Sequence, residues 1–160
     1  MTDEGEGPGV AALEMELREL VFDRFEHDEA VAFGEEVARR AAENAWPLAV
    51  DVRRPGQILY HRAMPGATAD NDRWIDGKTA VVFRWEASSL LVARRIRDEV
   101  RAGALPPFYD PAAHALAGGS FPIRVRGAGV VAAVTVSGLP EAEDHALVVD
   151  VLRGLLATQR

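Results

Sequence analysis

Residues 118 to 152 constrain the fold more than any other stretch of this chain. Two runs rich in β-forming residues, Phe121–Arg126 and Val130–Val136, are separated by Gly127 and Gly129. That spacing is a hairpin signal. Ser137-Gly138 breaks the second run, and Pro140 follows, suited to the first turn of a helix because it has no N–H to lose there. Glu141, Glu143 and Asp144 crowd that turn, where negative charge meets the positive end of the helix dipole. Strand, turn, strand, turn, helix is the predicted order.

The rest of the chain supplies matching parts. Residues 1–9 are acidic and glycine-rich and read as a disordered tail, leaving residues 10–160 as a single domain. Leu13, Leu17 and Leu20 recur at helical spacing, while Leu20–Phe25 reads equally well as a strand. Asp28 is the expected N-cap of an amphipathic helix over 29–45, with Ala30, Phe33, Val37, Ala38 and Ala41 on its inner stripe. Leu48–Arg53 alternates as a half-buried strand, Pro55-Gly56 turns the chain, and Ile58–Ala63 returns. A helix is expected over 70–85. Another follows, capped by Ser88 or Ser89, with Val92, Ala93, Ile96 and Val100 inward. Residues 102–120 form a long connection with one helical turn near 112–116, and long ordered loops often bind things. Hairpins interspersed with helices predict an α+β domain, an antiparallel sheet with helices on its faces.

Composition narrows the function classes. A net charge of -7 argues against a nucleic-acid backbone as partner. The absence of cysteine excludes a disulfide framework, a thiolate metal site and a thiol nucleophile. No apolar run is long enough to span a bilayer, and the expectation is a cytoplasmic protein with no membrane partner.

Two polar residues fall on inward faces. On a wheel of about 100° per residue, Lys78 and Asn71 share the arc of Trp74, Ile75, Val81, Val82 and Trp85. Asp144 projects to the middle of the arc formed by Leu147, Val148, Val151 and Leu152, with His145 on its edge. A buried amine needs a partner or loses its proton. The ligand reading places Lys78, Asn71, Gly118, Gly119, Ser137, Gly138 and Asp144 around a small anion, aided by free N–H groups at the helix start. The plain reading makes Lys78 a rim residue and Asp144 a cap on that helix. His61, His114 and His145 are candidate haem ligands; none forms a metal-spaced pair with another histidine. Trp74, Trp85 and Phe121 are candidate interface anchors, with core packing as the alternative. No nucleophile–base pair, metal set or cofactor loop stands out.

Several segments together resemble one family: Ala49-Val-Asp-Val-Arg-Arg-Pro-Gly-Gln-Ile-Leu-Tyr-His, Met64-Pro-Gly-Ala-Thr-Ala-Asp-Asn-Asp-Arg-Trp-Ile, Lys78-Thr-Ala, Gly118-Gly-Ser-Phe-Pro-Ile and Val134-Thr-Val-Ser-Gly-Leu-Pro-Glu-Ala-Glu-Asp-His. Over residues 20 to 156 the chain resembles the GlcG/HbpS-like ("haem-degrading" domain) family, in a widespread branch of it. The resemblance implies a profilin-like three-layer α/β/α domain with a five-stranded antiparallel sheet. It also implies a homo-oligomer, and a small-molecule or haem (tetrapyrrole) ligand in some relatives. Lys78, Gly118, Gly119, Pro122, Ser137, Gly138 and Asp144 match recurrent family positions. The family pattern Gly-Gly-x-Pro is Gly-Gly-Ser-Phe-Pro here, which changes the entrance beside the paired glycines.

Overall fold

The structure, a computed structural model, describes residues 7–159, so most of the tail expected over 1–9 lies outside the described residues. The elements in order are α1 (Val10–Glu19), β1 (Val21–Phe22), α2 (His27–Asn44), β2 (Ala49–Arg54), β3 (Gln57–Ala63), α3 (Ala69–Trp85), α4 (Ser89–Arg101), β4 (Ser120–Val125), β5 (Gly129–Ser137) and α5 (Glu141–Ala157). The two readings of the first segment both hold, in succession: a helix to Glu19, then a two-residue strand.

One five-stranded sheet runs β1-β4-β5-β2-β3. Three of its pairings are antiparallel, but β1 lies parallel to β4, through Val21 opposite Arg124 and Phe22 opposite Val125. The expected purely antiparallel sheet is therefore mixed. The reason is topological: β1 leads into α2 rather than a hairpin, so nothing forces it to run against its neighbour. Gly56 turns β2 into β3 at φ +79, a left-handed conformation that glycine takes without strain.

Caps place the helices. Ser88 Oγ accepts the Leu91 N–H at 3.3 Å and starts α4. The cap of α2 is Glu26, not Asp28: Glu26 N–H donates to Glu29 Oε2 at 2.8 Å in a capping box. Asp28 falls one step inside, where its charge meets the helix dipole. The long connection 102–119 contains short turns: the Tyr109 N–H donates to the Pro106 carbonyl, and the Ala113 and His114 N–H groups donate to the Asp110 carbonyl.

α2 and α5 cover one face of the sheet. Val50, Val52, Phe121, Ile123, Val134 and Val136 meet Phe33, Val37, Val148 and Leu152 there. α3 and α4 cover the other, so β2 is buried on both sides instead of alternating. The α3 side carries a polar row in register: Ser120 opposite Thr135, Thr135 opposite Asp51, Asp51 opposite His61. A smaller apolar cluster of Leu13, Val81, Leu90 and Leu91 ties α1 to α4 and α3.

Candidate functional site

α3 and α5 bring Lys78 and Asp144 together from opposite faces of the sheet, at the end of β5. Lys78 is 3% exposed, and its Nζ donates to the carbonyls of Val136 at 2.8 Å and Gly118 at 3.0 Å and to Asp144 Oδ2 at 3.3 Å. An ammonium has three protons, so its capacity is used. Asp144 also accepts the N–H groups of Leu139 at 3.0 Å and Gly138 at 3.3 Å, which caps α5. Burial pushes the carboxyl up to about 6, against the pull of Lys78 and the two N–H groups. Burial likewise pulls the Lys78 amine down, against Asp144. Gly119 sits at φ +128, and a Cβ there would lie 2.6 Å from Lys78 Nζ and 2.5 Å from the Val136 oxygen. Lys78, Gly118, Gly138 and Asp144 are bonded to one another directly, and Gly119 packs against the Lys78 amine. Asn71 stands at the rim. Its Oδ1 accepts the Thr68 N–H at 2.9 Å, capping α3, and its Nδ2 is 3.5 Å from Ser137 Oγ.

This knot holds a loop. Gly118 offers its carbonyl to Lys78 and its N–H to Glu141 Oε2 at 3.1 Å. Arg97 clamps Glu141 at 2.6 and 2.9 Å and donates to the Leu116 carbonyl at 2.6 Å. Burial alone would raise the Glu141 carboxyl; Arg97 and the Gly118 N–H outweigh it and hold the group below its usual range. Farther back, the Ala115 N–H donates to the Gly77 carbonyl at 3.1 Å. Gly77 permits that approach, because a Cβ on it would stand 2.7 Å from the Ala115 Cβ.

Between α3 and the fastened segment 111–116 lies an open cleft of about 750 Å³. Arg73, Trp74, Gly77, Asp70, Ala112 and His114 are among its walls. Trp74 is 44% exposed, and its indole N–H donates to Asp70 Oδ2 at 3.2 Å. His114 packs against the Trp85 and Tyr109 rings, with centroids 5.1 and 5.7 Å away. Its Nδ1 accepts the Asp110 N–H at 2.8 Å, and burial lowers its pKa. The neutral ring therefore carries its proton on Nε2. Trp74, Trp85 and His114 were singled out from the sequence. Arg73, Gly77 and the small residues of 111–116 were missed. The available signal was Gly77 itself, a glycine inside a helical pattern, which implies close approach by another segment.

The remaining candidates lie elsewhere. His61 Nδ1 is 2.8 Å from Asp51 Oδ2 and its Nε2 is 3.1 Å from Asp72 Oδ1. Asp51, fully buried, also holds Arg53 at 2.6 and 2.9 Å. His145 is buried on α5 with Nε2 2.8 Å from Glu16 Oε2. Phe121, a candidate interface anchor with core packing as the alternative, takes the core place: it is 1% exposed and packs in the layer shared with α5. The three candidate histidines do not fit an axial haem ligand as they stand. His61 has Nδ1 engaged by Asp51 and Nε2 3.1 Å from Asp72 Oδ1, His145 is sealed, and His114 presents a donor on Nε2 where iron needs a lone pair.

Residues 25–153 match the model of a family described as haem degrading protein HbpS-like. A UPF0303 protein of Streptomyces avermitilis is 47% identical over 152 residues, covering 95% of this chain and 93% of its own. The crystal structure of Ybr137w protein superposes with TM-score 0.81 at 26% identity, over 96% of this chain and 90% of that one. That of a PduOC:Heme complex shares the fold, with TM-score 0.64 at 15% identity over 83% and 93% of the two chains.

Proposed function

The chain belongs to the HbpS-like family, among its UPF0303 proteins, and on that footing we propose that it is a small-molecule-binding protein whose ligand enters the cleft between α3 and residues 111–116. The observation that carries this reading is the wall itself. The loop that forms it is tied at Gly77, Lys78, Arg97 and Glu141, so the cleft keeps a fixed shape, as a preorganised site requires. Lys78 and Asp144 then act as positioning residues for the ligand's container. The shape suits a planar molecule. Trp74 has its N–H tied back to Asp70 and so offers its ring face, opposite a wall of Ala112, Ala113 and Ala115.

Tetrapyrroles are planar, and the PduOC:Heme complex makes them reasonable probes. Titration with iron-free protoporphyrin and with hemin should give similar affinities, because His114, the histidine in the cleft wall, is not set to ligate iron. Trp74→Ala should weaken both by about tenfold, and His114→Ala should leave the hemin spectrum unchanged. Binding by Trp74→Ala equal to the parent's would overturn the cleft reading. Light scattering on the same variant tests the homo-oligomer proposal, in which Trp74 and the 74%-exposed Phe108 lie at subunit contacts. A fall in mass with binding intact would favour the assembly role for Trp74 over the ligand role.

A further inference from the structure

Resting on that cleft reading, we infer that the ligand carries a carboxylate on a flat apolar ring, and that Arg73 is the residue that pairs with it. The inference comes from which charges in the cleft are already spent. Two carboxylates line it. Asp70 accepts the Trp74 indole N–H at 3.2 Å, and Asp76 accepts Arg53 Nη1 at 2.9 Å. The cation beside them is different. Among the described residues no hydrogen bond or carboxylate partner is found for Arg73. Most other arginines here are paired, including Arg24, Arg39, Arg40, Arg53, Arg95 and Arg97.

Arg73 is also adjacent to the Trp74 ring in sequence and lines the same hollow. A guanidinium is a flat fork whose two parallel N–H groups match the two oxygens of a carboxylate. The Nε2–H of His114, fixed by the Asp110 N–H on the other nitrogen, supplies a further donor in the same walls. On a chain of net charge -7, a lone cation in a concavity selects against the character of the surface around it.

The test uses naphthalene carboxylate and its neutral isostere, naphthalene carboxamide, titrated into the intact protein by calorimetry. The carboxylate should bind about tenfold more tightly than the amide. Arg73→Gln should erase that preference while leaving the amide's affinity unchanged, and Arg73→Lys should keep part of it. Trp74→Ala should weaken both probes alike. Arg73 is exposed on α3, so these variants keep the fold. Equal binding of the two probes by the parent, both weakened by Trp74→Ala, overturns the carboxylate inference and leaves the cleft standing. An Arg73→Gln protein that still prefers the carboxylate overturns the role of Arg73. No binding of either probe by the parent defeats the inference together with the reading beneath it.

Discussion

Along β5, Val134 and Val136 point into a layer shared with Phe33, Val37, Val148 and Leu152, while Thr135 between them points the other way and meets hydroxyls. The contrast extends across the whole sheet. The α2/α5 face is apolar from Phe121 to Val52. The α3 face carries Ser120, Thr135, Asp51 and His61 in one row, with the Lys78–Asp144 knot at its end. An apolar face is held by volume and tolerates exchange of one hydrocarbon for another. A polar face is held by particular partners and tolerates only paired changes. The loop that walls the cleft is fastened on the second face. The molecule therefore places its cleft where geometry is specified by partners and its general stability where it is specified by packing.

The largest effects should come from one deletion on each face. Phe33→Ala should cost about 3–5 kcal/mol in urea unfolding, and Phe33→Leu only about 1. Lys78→Met keeps the volume but leaves the Asp144 carboxyl buried without its cation, and should cost about 3 kcal/mol. Adding Asp144→Asn to Lys78→Met should recover part of that loss. If Lys78→Met costs no more than Phe33→Leu, the two faces obey the same rule and the comparison is broken.

A smaller effect depends on pH. The folded-state pKa of Asp144 is raised, to about 6, by burial. A raised value means the folded protein holds the proton more tightly than the unfolded chain. The associated stability is present below the group's ordinary value and is lost as pH rises through about 6. Carboxylates on the helix surface work in the opposite direction: Glu36, held at about 2 by Arg39 and Arg40, contributes stability that is lost as pH falls through that value. The margin of the parent over Asp144→Asn isolates the buried group. It should be larger at about pH 4.5 than at about pH 7.5, by roughly 1–3 kcal/mol. A margin that shrinks on acidification would mean the knot is dominated by its ion pair instead of by burial.

The apolar face was legible in the sequence because periodicity reports it directly. Phe33, Val37 and Ala41 recur at helical spacing, and Val50 and Val52 alternate along a strand. Lys78 and Asp144 were legible for the opposite reason, as charges on apolar arcs. Their mutual contact follows from topology, which no wheel contains. The parallel pairing of β1 was hidden because two residues carry no period. The cleft was hidden because its walls are ordinary residues. Arg73 reads as solvated helix surface, and residues 111–116 read as loop, until Gly77 lets them meet. Trp74 and Phe121 looked alike in sequence. Only the sheet's layering separates them, one open to the cleft and the other sealed beneath α5.

The smallest effect sharpens the comparison inside the polar face. Thr135 Oγ1 lies 3.0 Å from Thr79 Oγ1 and 2.8 Å from Ser120 Oγ. Thr135→Val keeps the shape and removes the shared partner. Thr79 sits within a helix, and its hydroxyl can turn to the carbonyl one turn back. Ser120 has no such retreat, so the cost should be about 1 kcal/mol, nearly all from one stranded hydroxyl. Replacing the whole set, with Thr79→Val and Ser120→Ala added, removes the stranded groups along with their partner and should return stability to near the parent's. Chemical denaturation of the single and triple variants reads this directly. A triple variant much less stable than Thr135→Val alone would mean that the hydroxyls act as an extended network with the Asp51 group. The recovery expected here is what separates neutral hydroxyls, which can be exchanged for hydrocarbon as a set, from the Lys78–Asp144 pair, whose carbonyl and N–H partners belong to the backbone and remain when both side chains are gone.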